Sequence, residues 1–344
     1  MILNHPQIEE NIAWILGNGS APVRYLTHTH LLQTSPNAPI MTGLWHDVQN
    51  CPDALEIFSK QNADGSWFSG GSWAEKPPYV LKGMPEGYDP ETPKYVTAVW
   101  ILPLLGEMGF SAADERIRKS AEYLLSFRTE KIDVSHRVFN DPTYTPDYSE
   151  FGPCWLGKWL FALAKVGMQS DPRVRRGYAV LARAQREDGG WVLPMHYRER
   201  KWTRSCPFSS ANATLALYQS GYPEYRDALR RAIEFQLWHL SIKEPAEIQR
   251  FFYHGHQTIR ELTMFADLQV GLDSKPVQAQ LEWLMTMYQP GEGHFHYAGK
   301  PVSKFTFRAD AMETRIAKYR LYHLIEDDWL TYYATRIAVL LNAC

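Results

Sequence analysis

Three short segments with matching offsets constrain this chain more than any other feature. Gln61-Asn-Ala-Asp64-Gly65-Ser-Trp67 and Gln185-Arg-Glu-Asp188-Gly189-Gly-Trp191 share Gln, Asp-Gly and Trp at identical positions. Gln289-Pro-Gly-Glu292-Gly293-His-Phe295 is a degenerate third copy. Each closes an amphipathic helix, and a further helix ends near Gln236, which sets a repeating unit of about fifty residues. Within a unit, an apolar helix precedes one with a single apolar stripe. Tyr95 to Met108 is apolar nearly all round, as expected of a helix enclosed by others. In Arg116 to Ser126, only Ile117, Ala121, Leu124 and Leu125 recur at helical spacing, opposite Arg118, Lys119 and Glu122.

This alternation predicts inner helices near 22–33, 93–108, 153–166, 208–220, 257–270 and 307–323. Outer partners are expected near 40–60, 113–127, 172–184, 224–239, 275–288 and 327–342, with an extra opening helix around Gln7 to Leu16. The expected fold class is all-α, an (α/α)6 toroid of six inner and six outer helices in one domain over 1–344. Inner-to-outer turns are short and pass through Gly109, Gly167, Gly221 and Gly271. Outer-to-inner connections are long, about 68–93, 128–153, 192–207, 241–256 and 296–309. In a toroid they emerge at one end, which becomes the candidate mouth.

The Gln-x-x-Asp-Gly-(Ser/Gly)-Trp segments, the apolar helices and the repeat length resemble the QW repeats of squalene-hopene cyclases and protein prenyltransferases, over roughly Asp47 to Phe307. The resemblance implies a double-layered α/α barrel in which the motif's Gln and Trp tie an outer helix to its neighbour. It therefore implies a structural role for Gln61, Trp67, Gln185 and Trp191. That family's class II cyclases protonate an alkene or epoxide with an Asp-x-Asp-Asp acid. No such motif occurs here, and Glu326-Asp327-Asp328-Trp329 falls at a helix start, where acids suit the dipole. The acid is instead expected at Asp310 or Glu313, or at Asp267 within the fifth inner helix. The prenyltransferases hold zinc with Asp, Cys and His. Phe252-Tyr253-His254 resembles the segment carrying their His, but no Asp-x-Cys precedes it.

Aromatics form 13% of the chain, with 12 Trp, which calls for an unusual core or an aromatic-lined pocket. Trp100, Trp155, Trp202 and Phe252 are candidate substrate-binding walls, suited to an isoprenoid, a stacked sugar or plain lid packing. Arg198, Arg204 and Arg308 stand among the connections as candidate receivers of an anionic group. Cys154 opens the third inner helix and is a candidate nucleophile, with buried inert thiol as the alternative. The pairs His254-Gly-His256 and His294-Phe-His296 come from successive connections and form the candidate metal rim; otherwise no cofactor is expected.

A formal charge of −2, from 36 Lys plus Arg against 38 Asp plus Glu, lacks the basic excess of nucleic-acid binding. No apolar run is long enough to span a bilayer and no secretory pattern opens the sequence, so a cytoplasmic location with free thiols is expected. The chain thus reads as a terpenoid-cyclase-like enzyme for a hydrophobic small molecule, with a second subunit left open. The rivals are a carbohydrate lyase or hydrolase using Tyr253, His254 or His256 with Asp310 or Glu313, and a non-catalytic lipid-binding or interaction module.

Overall fold

A computed structural model describes residues 3–67, 98–126, 133–145, 152–192, 204–253, 256–298, 321 and 324–343, with only the backbone at 133–136 and 252–253. The described residues are mostly helical. In chain order the helices are α1 (His5–Asn18), α2 (Ala21–Leu26, continued by a π turn over Thr27–Leu31), α3 (Pro39–Gln49), α4 (Pro52–Ser59), α5 (Ala98–Glu107), α6 (Glu115–Ser126), α7 (Asp133–Asn140) and α8 (Pro153–Lys165). There follow α9 (Pro172–Arg183), α10 (Pro207–Ser220), α11 (Arg226–Ser241), α12 (Pro245–Ile248), α13 (Thr258–Leu268), α14 (Lys275–Met285) and α15 (Asp327–Asn342). None is long and apolar enough to cross a membrane. Two compact units form: Lys60–His239 with His254–His256, and Met1–Ser59 with Leu240–Tyr253 and Gln257–Cys344.

Within Lys60–His239, helices α5, α8 and α10 are the enclosed set. Every residue of α8 from Pro153 to Ala164 is buried except Trp155. The three run parallel: Cys154 meets Asn212 near two helix starts, and Lys165 pairs with Glu107 at 3.0 Å near two helix ends. Pro153 and Pro207 occupy first helical positions, where the missing N–H costs nothing. Helix α6 buries Ile117, Ser120, Ala121, Leu124 and Leu125, the expected stripe and one added serine. Helices α6 and α9 start alike. Arg116 N–H donates to Asp114 Oδ1 at 2.9 Å and Arg173 N–H to Asp171 Oδ1 at 2.7 Å, and each guanidinium folds back on the same carboxylate. Helix α7 falls in a connection expected to be a loop; burial of Val138 and Phe139 explains it.

The repeated motif ties neighbouring elements in one register. Gln61 Nε2 donates to the Arg116 carbonyl at 2.9 Å, and Gln185 Nε2 to the Ala228 carbonyl at 2.7 Å. Three residues further along each receiving helix, the backbone meets the motif glycine. A Cβ on Gly65 would lie 2.6 Å from the Lys119 oxygen, and one on Gly189 would lie 2.3 Å from that of Arg231. Both glycines have positive φ, +90° and +85°. Trp67 and Trp191 are fully buried, and the indole of Trp191 donates to the Leu181 carbonyl.

The second unit repeats this arrangement with unexpected partners. Gly293 abuts the Glu10 backbone of α1, and Asn11 Nδ2 donates to the Gly293 carbonyl at 2.9 Å while the amide meets Thr335 Oγ1 at 3.0 Å. The Phe295 N–H donates to Thr331 Oγ1 of α15 at 2.9 Å, as the Trp191 N–H does to Ser210 Oγ of α10. Helix α1 thus stands where α6 and α11 stand toward their motifs, and α15 where α10 stands. The expectation that 327–342 is an outer helix is corrected: α15 is buried from Trp329 to Thr335 and again at Ile337 and Ala338. It runs parallel to α2 and α13, with Ser20 N–H on Asp328 Oδ2 at 2.9 Å and Gln269 on the Leu340 carbonyl at 2.8 Å. It runs antiparallel to α1, where Asn342 meets the Leu3 carbonyl at 3.0 Å. The inner helix expected over 307–323 lies outside the described residues except Leu321.

Candidate functional site

The enclosed helices of Lys60–His239 are apolar over most of their length, so their buried polar side chains are the informative ones. Apart from Glu107 at the end of α5 and Thr214 and Ser220 further along α10, they lie toward the starts of α8 and α10. Lys158, 8% exposed, projects from α8 and places Nζ 3.2 Å from the centre of the Trp100 ring on α5. One turn earlier, Cys154 Sγ accepts from Asn212 Nδ2 at 3.4 Å, and the same amide donates to the Phe208 carbonyl at 2.9 Å. Burial, together with nearby Cys206, pushes the Cys154 thiol up to about 12, against the smaller downward pull of Lys158, Asn212 and the Ser209 hydroxyl. At neutral pH this sulfur is a thiol and serves as a hydrogen-bond partner. Of the sequence candidates, Cys154 and Trp100 are thereby brought into one cluster. Lys158 and Asn212 join it unforeseen.

Within the other unit, the first turn of α13 holds a second buried polar group. Glu261 is fully buried, and its Oε1 accepts from the Gln257 N–H at 3.3 Å. Arg260 Nη1 donates to Gln257 Oε1 at 2.6 Å. Glu261 is not among the sequence candidates, because a charged residue in a single helix carries no mark of burial until its neighbours are placed. The available signal was position: this is a carboxyl in the opening turn of an expected inner helix.

The described histidines of the expected rim each have a local partner. His256 Nε2 faces His239 Nδ1 at 3.2 Å, with parallel rings and both residues buried. His294 stacks on Trp14 with centroids 4.6 Å apart, and His296 bonds Asp327 at 2.8 Å. Among the described residues, no group of three or more His, Cys, Asp or Glu is placed to hold a metal ion. Arg204 lies over the Trp238 ring at 4.2 Å, and Trp155 is half-buried against Gly152. Phe252 and Tyr253 form a short strand; Asp310, Glu313, His254, Trp202, Arg198 and Arg308 lie outside the described residues.

Hollows of about 560 Å³ beside Asp64 and about 410 Å³ beside Asp188 occupy equivalent places along α6 and α11. Their recurrence follows from the motif ties, so they are products of the repeat.

No protein-family model matches the chain, and no curated protein does. Among solved structures, the chain is similar to a variant of type II terpene cyclase MstE from Scytonema in complex with geranylgeranyl dihydroxybenzoate (substrate). That similarity has 17% identity and a TM-score of 0.39, covering 98% of this chain and 96% of that one. A second variant of MstE, without ligand, gives 14% identity and a TM-score of 0.31, covering 99% of each chain. Ligand-free MstE gives 12% and 0.30, over 85% of this chain and 96% of that one. At such values the likeness assigns neither activity nor substrate.

Proposed function

We propose that the chain is a single α/α toroid and an enzyme of terpenoid-cyclase-like type, acting on an isoprenoid or other hydrophobic substrate in an aromatic-walled central cavity. One observation carries this reading: the polar side chains of Lys158, Cys154 and Asn212 are buried in the enclosed helices α8 and α10, Lys158 against the Trp100 ring. Substrate sites for apolar molecules have this composition, a greasy wall with sparse fixed polar groups that orient the ligand. The toroid reading is supported by the shared register of the two Gln ties and by the matching approach of Gly293 to α1.

In this reading Trp100 and Trp155 belong to the wall, with Trp202, Phe252, Arg198, Arg204 and Arg308 supplied by the connections. The proton donor is one of three carboxyls: Glu261, buried in the opening turn of α13, or Asp310 or Glu313. The cytoplasm is the proposed compartment. The test is to incubate the purified protein with linear prenyl substrates and analyse extracts by mass spectrometry for isomeric cyclised products. Product from the wild type, lost in Glu261→Gln with the thermal transition retained, is the expected result and assigns the acid. Retained turnover in that variant moves the role to Asp310 or Glu313, tested by Asp310→Asn and Glu313→Gln. A wild type that neither converts nor binds any prenyl compound ends the reading.

A further inference from the structure

We infer that the hollow along α11 binds a small phosphate monoester, its phosphate held between Arg204 and Arg231 and its organic part against Trp238. The site lies wholly within Lys60–His239 and does not depend on the substrate reading above, although it takes Arg204 from the substrate wall into this hollow. The repeat makes the hollow, about 410 Å³, and its counterpart along α6 shows what the repeat supplies by itself. Arg118, Glu122 and Tyr123 of α6 correspond to Arg230, Glu234 and Phe235 of α11. The two hollows differ where Lys119 and Ser126 stand on α6, because Arg231 and Trp238 occupy those places on α11. Arg204 is a further addition, brought by the connection that follows the second motif copy.

Arg204 and Arg231 are the cations whose hydrogen-bonding capacity is left over in this lining. Arg230 donates to Asp227 at 2.7 Å and to Glu234 at 2.6 Å. The Asp188 carboxylate accepts from the Ser205 N–H at 2.8 Å, the Ser205 hydroxyl at 2.6 Å and the Gly190 N–H at 3.2 Å. Arg231 Nε is buried without a hydrogen bond and stands 3.8 Å from Asp227 Oδ2, beyond hydrogen-bond reach. Arg204 lays its guanidinium on the Trp238 ring at 4.2 Å and bonds no carboxylate among the described residues. Glu187, the remaining acid of the lining, is exposed, where solvent and salt screen it.

Arg204 is also held in place. The bonds to Asp188 fix the backbone at the adjacent Ser205 and the ring fixes the side chain, so little freedom is lost when a ligand arrives. The ring takes one face of the guanidinium and leaves the N–H groups at its edge to donate. One fork satisfies a carboxylate, whereas a phosphate carries oxygens on several sides and accepts from two. A monoester's charge of about −1.5 to −2 matches two guanidiniums. The hollow is larger than the ion, and Trp238 offers the organic part an apolar wall.

The experiment titrates phenyl phosphate, inorganic phosphate and benzoate into the full-length wild type and its variants, reading binding by calorimetry and tryptophan fluorescence. Phenyl phosphate should bind at one site with a Kd of about 1 mM or lower, and the other two about tenfold or more weakly. Arg204→Gln and Arg231→Gln should each weaken phenyl phosphate about tenfold with an unchanged thermal midpoint. Arg118→Gln, in the counterpart along α6, should leave binding as it is. Where a glutamine variant shifts the midpoint, the lysine variant at that position replaces it; it keeps the charge, loses the fork and should still bind more weakly than the wild type. Benzoate that binds as tightly as phenyl phosphate overturns the inference, and so does inorganic phosphate that does, because the ring wall then adds nothing. Binding that survives the change at Arg204 or Arg231, or falls equally in Arg118→Gln, puts the ligand elsewhere and overturns it. Binding of none of the three overturns it as well.

Discussion

Gly189 and Gly221 both have positive φ, +85° and +67°, yet they stand in different surroundings. Nothing lies within 4 Å of a Cβ built on Gly221, whereas one on Gly189 meets the Arg231 oxygen at 2.3 Å. Gly221→Ala therefore carries only the left-handed backbone cost, about 1–2 kcal/mol. Gly189→Ala adds a clash with the backbone of α11 and should lose roughly 3 kcal/mol or more. Urea midpoints of the two variants measure the difference; equal losses would mean that the close approach at the motif does not exist. The motif glycines were legible because their spacing recurs. Lys158 and Glu261 were not, since a charged residue in a single helix reads as solvent-facing until its neighbours are placed.

At the scale of elements, periodicity located most helices to within a few residues and separated stripe from all-round burial, as α6 and α8 illustrate. It failed for 327–342 through counting: Trp329 to Ala338 carries Arg336 as its one charge and is buried at all its other positions, but strict inner–outer alternation labelled it outer. Paired starts such as those of α6 and α9 carry a testable charge. The hydrogen bonds of Arg173 hold the Asp171 carboxyl below its ordinary value; at Asp114 burial pulls upward and the bonds of Arg116 outweigh it. With folded values below unfolded ones, the folded state binds fewer protons. This stabilisation is complete above about pH 4 and is lost as pH falls through the folded values. Asp171→Asn keeps a good helix cap but removes the charge. Its stability should be lower than the wild type's at pH 7 and converge with it in acid, as followed by thermal melts across that range. A gap that stays constant with pH would mean that the ion pairing contributes nothing.

At the scale of the whole chain, the longest-range ties join its first helix to its last. Asn11 meets Thr335, Asn342 meets Leu3, and the third motif copy sits on both α1 and α15 through Gly293 and Phe295. No sequence pattern announces this pairing, because each helix taken alone satisfies its own periodicity and only the motif geometry assigns the partner. Helix α1 begins on a reciprocal cap between Asn4 and Gln7 but buries only Asn11 and Ile15 on its own account. An isolated helix of this length is marginal in water, so its stability must come from docking. Removing residues 1–19 should uncover part of the face of α15 that α1 covers and leave Thr335 and the Gly293 carbonyl without Asn11. The expected outcome is a truncated protein that binds a hydrophobic dye and melts without a sharp transition. A synthetic peptide of residues 1–19 added in excess should restore that transition, whereas the same peptide with Asn11→Leu should restore it poorly, because the leucine cannot donate to the Gly293 carbonyl. A truncated protein that melts as sharply as the full chain would show that α1 is an appendage and that its register against the motif is incidental.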